Sequence, residues 1–421
     1  MPIQKMLVPY RGLPAGVYVL AIANVVNNLG SFVWPLMSLL LTDRHGLDYA
    51  EAGLFVTGMT VFSALGALIG GKLADHLGRK RVFLVSRTLG ALAFVPCAFL
   101  EASPVIPWLF VASAFLSSAS WPCVDAMVTD LTRREDRQPA FSLQYLGLNI
   151  GFALGPMIAG FLYRSHLAWL YLGDALTTLL SSILVAVVVP ETMPDKQTKV
   201  NAATGAEAAE KSGVVAALLK RPKLLAFSLI MMVLSFVYVQ YSFVLPLQAK
   251  ASFPVDGPKI FGALMTINAL VVVFGTAPLT FLLRNLPPAF NLGLGALLYA
   301  FGFGANALIG KSVAIFTAAT FVWSVGEVIL TVNSMAYIAN NSPVTHRGRF
   351  NAVFHTIADA GRAAGPAIMG WVIKRKGIGV VWPVCFFLAG PAAMIFFGQA
   401  ARGNAGRMAK ADESQTSPPV P

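Results

Sequence analysis

The sequence predicts an all-α integral membrane protein, with twelve transmembrane helices in two pseudo-symmetric six-helix bundles. Three observations carry this expectation. The 421 residues are 56% hydrophobic and only 12% charged, whereas a soluble domain carries about a quarter charged residues; the mean hydropathy is +0.69. Apolar runs long enough to cross a bilayer, near 20 residues each, recur twelve times. One ten-residue pattern, G-x-x-x-G-P-x-x-x-G, is written twice, as GFALGPMIAG at 151–160 and GRAAGPAIMG at 361–370.

The runs lie near 16–41, 50–74, 82–101, 107–131, 140–163, 168–189, 224–249, 259–284, 289–310, 312–340, 350–373 and 378–400. With hydropathy of this kind, helices are the way to satisfy every backbone group inside lipid. The first run, after Lys5 and Arg11, is too long for a signal-peptide core and has no small-residue cleavage site behind a short one; it reads as the first span. Most connections are short. The exception, residues 190–222, is polar and Ala-rich. The expected organisation is therefore a six-span bundle at 1–189, a linker at 190–222, a second bundle at 223–402 and a disordered tail at 403–421.

Lys and Arg set orientation. The N-terminus, the even-to-odd loops and the C-terminus together hold 21 of the 31 Lys and Arg, and the opposite loops hold 8. Both termini and the linker are thus expected in the cytoplasm, in a bacterial plasma membrane. The net charge of +12 is a topology signal with a share in lipid contact, not a nucleic-acid patch. Cys97, Cys123 and Cys385 all fall within apolar segments and fit neither a metal site nor a disulfide framework.

At an offset of 210, without a gap, Arg137 falls on Arg347, Asn149 on Asp359, Gly151 on Gly361, Gly155 on Gly365, Pro156 on Pro366 and Gly160 on Gly370. Span 5 of the first set therefore matches span 5 of the second, which is span 11, as in parallel-repeat transporters. Small residues four apart let helices approach closely where no hydrophobic force drives association, and a proline bends a helix. A close, bent contact suits either a moving interface or ordinary tight packing.

A second motif, GGKLADHLGRKR at 70–81, joins spans 2 and 3. Asp75 stands where span 2 leaves the membrane; its carboxylate can pair with a cation or cap another helix. The string from Gly71 through Asp75, Gly78, Arg79 and Lys80 resembles the signature loop of the major facilitator superfamily, with His76 where the superfamily usually has a basic residue. GFALGPMIAG resembles the fifth-helix motif of that superfamily's drug/proton antiporter branch, which normally ends in two glycines where this chain has Ala159 and Gly160. The resemblance implies alternating access, with two bundles rocking about one central site in a monomer. It also implies a latch between Asp75 and the start of span 11, with Asp130 and Arg87 in the same charge relay. The arginine that many members of this branch carry within span 4 is absent here.

Charges inside a bilayer are expensive and usually paired or functional. Glu327, about fifteen residues into span 10, has no cation within a turn on its own span. It is a candidate for proton coupling or cation binding, or else for neutralisation by a partner such as Arg362. Asp359 and Arg362, three apart in span 11, share a face. They form either a fixed ion pair or an exchange in which Arg362 alternates between Asp359 and Glu327, with His355 one turn earlier. Asp125 and Arg87, at similar depth on spans 4 and 3, are a structural pair or a gate. Asp174 in span 6 is a proton entry point or a solvated outer residue. Because the second copy of the motif carries Asp359 and Arg362, the charge coupling is expected mainly in the second half.

Candidate cavity residues are Asn24, Asn27, Asn28, Phe32 and Trp34 in span 1, Trp121 in span 4, Phe236, Gln240 and Tyr241 in span 7, and Asn268 in span 8. Each Asn serves equally as an interhelical hydrogen bonder. Nothing resembles a nucleotide-binding loop, a zinc site or a catalytic triad. The expected function is proton-coupled efflux of small amphipathic or lipophilic compounds, not an enzyme activity. It needs no cofactor or metal beyond the proton gradient, and its partners are a small-molecule substrate, protons and membrane lipids. An exporter or importer of one metabolite (a sugar, siderophore or lysophospholipid) and a non-transporting sensor or scaffold are the alternatives.

Overall fold

The computed structural model describes residues 10–100, 103–133, 135–193, 222–308, 312–341 and 347–416, without side chains at 222–223, 335–336, 339–341, 347–353 and 403–416. Most of the expected linker, from 194 on, lies outside the described residues. Twelve long helical elements are described: α1 (Ala15–Arg44), α2 (Tyr49–Leu77), α3 (Arg79–Ala98), α4 (Ile106–Leu131), α5 (Arg137–Ser165), α6 (Leu167–Val188), α7 (Leu224–Ser252), α8 (Gly257–Leu283), α9 (Pro288–Leu308), α10 (Val313–Ser334), α11 (Arg347–Lys376) and α12 (Ile378–Arg402). Eleven are apolar enough to cross a membrane by composition. The exception is α11, at 30 residues long enough but interrupted by Asp359 and Arg362 and ending in three cations. Large apolar side chains such as Leu68, Val187, Phe274 and Phe387 are exposed, the arrangement that lipid, and not water, tolerates.

Several helices break where the sequence breaks them. Pro35 follows an interruption of α1 after Leu29. Pro122 opens the second segment of α4. In α7 the break falls at Val239, between Tyr238 and Gln240. Asp48 and Glu51 form a reciprocal capping box at the start of α2: Asp48 accepts from the amides of Ala50 and Glu51, and Glu51 accepts from the amide of Asp48. Beyond α12 the helix continues as far as Thr416. The helical backbone thus extends over residues 403–416, part of the tail expected to be disordered.

The contacts divide the chain into two compact units. One contains residues 1–211, 240–269 and 365–378; the other contains 212–239, 270–364 and 379–421. These differ from the expected runs 1–189 and 223–402. Segments of α7, α8 and α11 join the N-terminal helices: the second segment of α7 packs on α1, and the repeated glycine motif brings in α8 and α11.

In the first unit, Gly151 and Gly155 of α5 press against α1; a Cβ at Gly155 would come within 2.6 Å of the Asn28 carbonyl oxygen. Farther along α5, Gly160 lies on the start of α8, where a Cβ would meet Lys259 Cα at 3.0 Å. Gly262 of α8 returns the contact, with Met157 Cα at 2.8 Å. The second copy makes the same crossing on α2: a Cβ at Gly370 would meet Ala50 Cα at 3.3 Å, and one at Gly53 would meet Ala367 Cα at 3.2 Å. Hydrogen bonds fasten both crossings. Thr266 Oγ1 donates to the Ala153 carbonyl (2.7 Å), and the Ala367 amide donates to Thr57 Oγ1 (3.2 Å). At the α2–α11 crossing Lys374 Nζ also lies 2.6 Å from Asp48 Oδ2, a bond that holds the Asp48 carboxyl below its ordinary value and the Lys374 ammonium above its own.

The α2–α3 turn is a single residue, Gly78, at φ +105°, a conformation glycine adopts without strain. It leaves the first amides of α3 without helical partners. Glu191, three residues after α6, supplies them: its carboxylate accepts from Arg79 (2.8 Å), Lys80 (3.3 Å) and Arg81 (3.4 Å). Burial alone would raise this carboxyl, but the amides of Lys80, Arg79, Arg81 and Met193 outweigh it and hold Glu191 below its ordinary value.

Two outcomes test this packing. Gly53→Leu and Gly262→Leu should each destabilise the protein by about 1–3 kcal/mol through forced overpacking, measured by thermal unfolding in detergent. Gly58→Leu, where a Cβ meets nothing within 4 Å, should stay within about 0.5 kcal/mol of wild type. Glu191→Ala should cost about 1 kcal/mol at neutral pH, as lost helix caps do. Because the folded-state value of Glu191 is depressed, its contribution is present above the ordinary carboxyl value of 4.5 and is lost as pH falls through the lowered one. Melting of wild type between neutral pH and pH 3 should therefore lose more stability than melting of Glu191→Ala.

Candidate functional site

In the second unit, the charges expected from the sequence meet at a residue not singled out there, Tyr238. It ends the first segment of α7, just before the break. Its hydroxyl donates to Glu327 Oε1 on α10 at 2.7 Å. Its ring stacks on Tyr299 of α9 (5.8 Å between centroids, 7° between planes) and stands edge-on to Trp323 of α10. The Arg362 guanidinium of α11 lies 5.9 Å from the centroid of the same ring, within cation–π range. Arg362 Nε is 3.7 Å from Asp359 Oδ1. Gly361 makes this approach possible: it rests on the backbone of Met232 in α7.

The result is a chain of groups, Glu327–Tyr238–Arg362–Asp359. Glu327 is half-buried, while Arg362 and Asp359 are exposed on α11. One phenol thus bonds a carboxylate at its hydroxyl and faces a cation at its ring. A proton added to Glu327 removes the charge that the phenol serves, and the ring remains to hold the guanidinium. His355 is exposed and touches only the ring of Phe354 among the described aromatic contacts.

The first unit holds a second polar assembly. Asp174 of α6, expected as an entry point or a solvated residue, is buried. Its Oδ2 accepts from the amides of Phe32 and Val33, each at 3.1 Å. Those amides are freed by the interruption of α1, so the carboxylate caps a broken backbone. Arg87 of α3 is also buried. It donates to Ser120 Oγ at 2.9 Å and to Asn27 Oδ1. Thr178, one turn beyond Asp174, donates to the same Asn27 oxygen at 3.2 Å. The expected Arg87–Asp125 pair is not formed: α4 restarts at Trp121, which turns Ser120 to Arg87 and leaves Asp125 exposed. Among the described residues the buried charges, Arg87 and Asp174, therefore lie in the first half, although the coupling was expected mainly in the second.

At the α2–α3 turn, Arg79 makes an ion pair with Asp130 of α4 and donates to the Thr192 carbonyl (3.2 Å). Lys80 Nζ reaches the Ala186 carbonyl at 2.7 Å. Asp130 thus pairs with Arg79 and not with Arg87. Glu191 caps the start of α3. Asp75 is exposed, and Gly71 lies beside Pro122. The side chains at the start of α11, its expected latch partner, lie outside the described residues.

The candidate cavity residues divide. Asn24 donates to Gln144 of α5 (2.9 Å), which donates in turn to the Val17 carbonyl (3.0 Å), and Asn28 bonds back to Asn24 in its own helix. Phe32, Gln240 and Asn268 are buried in this structure, Phe32 at the break in α1. Trp34 and Trp121 are exposed; Phe236 and Tyr241 are half-buried. Cys97, Cys123 and Cys385 are buried free thiols.

Comparison with known proteins adds the family. A chain from Planococcus maritimus described as a Na(+), Li(+), K(+)/H(+) antiporter is 24% identical over 370 residues, covering 79% of this chain and 84% of its own. Multidrug resistance protein MdtH of Salmonella typhimurium is 28% identical over 181 residues, covering 42% of this chain and 44% of its own. Among solved structures, a peptide transporter in complex with sulfate superposes with a TM-score of 0.70 at 15% identity, covering 93% of this chain and 96% of its own; that likeness concerns the fold alone. The family model described as Major Facilitator Superfamily matches residues 20–312. With its apolar helices and doubled motif, the chain belongs to the Major Facilitator Superfamily and is a multi-pass membrane transporter.

Proposed function

We propose that the protein is a proton-coupled antiporter of a bacterial plasma membrane, exporting small amphipathic or lipophilic compounds by alternating access. In this reading the α2–α3 turn, the linker and both termini face the cytoplasm, in accord with the Lys and Arg distribution. The observation that carries it is the convergence of Glu327 and Arg362 on Tyr238. A carboxylate inside a span with a phenol donor and a neighbouring cation suits reversible protonation. Protonation of Glu327 weakens its bond to Tyr238 and frees the ring and Arg362 to rearrange with α11. The substrate class follows from the multidrug relative and from the aromatic groups around the site, Tyr299 and Trp323.

The Planococcus maritimus relative favours a second reading, in which the exchanged species is an alkali cation held at Glu327 and Asp359. Both readings require the same carboxylate.

Proteoliposomes with an imposed pH gradient test the proposal. Wild type should move a lipophilic dye against its gradient only when ΔpH is present. Glu327→Gln should lose this driven flux while exchange down a dye gradient persists. Tyr238→Phe, which keeps the ring but removes the hydroxyl, should lower it by about tenfold, the worth of one hydrogen bond to a charged group. Dye flux independent of ΔpH, or unchanged in Glu327→Gln, would contradict the assignment. Flux of Na(+) or K(+) without dye flux would select the second reading.

A further inference from the structure

The two glycine crossings are alike in backbone but not in charge. At the α2–α11 crossing, Lys374 is neutralised by Asp48. At an offset of 210 Lys374 corresponds to Arg164, on α5. At the offset of 209 that aligns Ala50 with Lys259 and Gly53 with Gly262, Asp48 corresponds to Gly257. The α5–α8 crossing therefore keeps the cation and lacks the carboxylate.

A pocket of about 150 Å³ opens at that place, lined by Arg44, Arg164, Lys250 and Lys259 together with Tyr163 and Pro258. It belongs wholly to the first unit. Two of its four cations have carboxylates near: Lys250 lies 3.4 Å from Asp43, and Lys259 lies 3.8 Å from the exposed Asp256. Asp43 is shared with the Tyr163 hydroxyl, which donates to it at 2.9 Å. Arg44 donates to the Tyr163 carbonyl at 2.8 Å and lies over its ring. Arg44 Nε, however, is buried with no hydrogen-bond partner. Arg164 is exposed and forms no ion pair among the described residues. Two guanidinium groups thus stand beside one pocket without a carboxylate of their own. Guanidinium forks match tetrahedral oxyanions in a way that single ammonium groups do not. The volume exceeds several times the roughly 30 Å³ share of one water.

We infer that this pocket binds a phosphate-class anion, either the phosphate of an anionic lipid headgroup at the membrane surface or a soluble phosphate. The anion takes the place of the missing carboxylate and bridges Arg164 of α5 to Lys259 of α8. It thereby ties the crossing that Gly160 and Gly262 form, as Asp48 and Lys374 tie the other. On the proposed orientation the pocket faces outward, but its binding chemistry does not depend on the transport reading, and neither does its test.

The test uses the purified full chain without transport. Inorganic phosphate is titrated in detergent and followed by calorimetry. In a second arm, protein is taken from nanodiscs of phosphatidylcholine containing phosphatidylglycerol, and native mass spectrometry counts the retained phosphatidylglycerol. At least one anion should bind wild type. Arg164→Gln and Lys259→Gln should each weaken that binding by about tenfold, the scale of one charge-assisted bond. Arg164→Lys, which keeps the charge but not the fork, should recover it only in part, and Arg375→Gln, a cation outside the pocket, should leave it unchanged. Lys259 is partly exposed, so its variant serves should Arg164→Gln fail to fold. Retention of phosphatidylglycerol alone identifies the lipid as the source, and binding of inorganic phosphate identifies the soluble ion. Binding of neither, or binding unaltered in Arg164→Gln and Lys259→Gln, overturns the inference.

Discussion

The contacts of α5 with α8 and of α11 with α2 are backbone against backbone, and they draw segments of α8 and α11 into the first unit. Glycine at Gly53, Gly160, Gly262 and Gly370 brings main chains to distances at which any Cβ would collide. In lipid there is no hydrophobic gain from bringing apolar helices together, so this closeness supplies the dispersion and polar contacts that hold them. Pro156 and Pro366 sit within the same stretches, and the division between the two compact units falls between Ala364 and Gly365, one residue before Pro366. Close packing and a helix-interior proline therefore coincide in α11.

The charged groups distribute around this frame by local backbone need as much as by mutual attraction. Asp174 serves two amides exposed by the break in α1. Glu191 serves the amides at the head of α3. Neither is primarily an ion-pair partner. Glu327 differs, because it accepts from a side-chain hydroxyl, that of Tyr238, whose ring faces a cation. A carboxylate held by a side chain can exchange partners without unravelling a helix, whereas one that caps amides cannot. That difference separates Glu327 from Asp174 as the coupling candidate, although both lie within spans.

Much of the fold was legible in the sequence because hydropathy and the doubled motif act at the scale of whole helices. Glu327, Asp359 and Arg362 were legible for a similar reason: a charge in an apolar run is conspicuous by its expense. Tyr238 was not, since an aromatic residue in an apolar span carries no such mark, and its role depends on the break at Val239 and the depth of α10. The pairing of Arg87 with Asn27 and Ser120 instead of Asp125 turns on the restart of α4 at Trp121, a rotation that spacing alone does not encode. Gly53 and Gly262 carried a signal that went unread: they align at an offset of 209, one residue from the offset that relates the two motifs. The loop motif offered Asp75 as a partner for a cation or a cap for another helix, and carried no sign of what caps α3. The cap is Glu191, 112 residues after Arg79, and only the packing of α6 beside α3 brings it there.

The alternating-access cycle proposed above requires the glycine crossings to part and re-form. Spin labels on cysteines replacing the exposed Tyr49 and Trp371 span the α2–α11 crossing, and the native thiols, all buried, leave these two sites the accessible ones. Double electron–electron resonance in lipid nanodiscs then reads the distance directly at acidic and alkaline pH. The account predicts two distance populations whose proportions shift with pH and lose that shift in Glu327→Gln. A single distance, unchanged across pH and with added substrate, would contradict it.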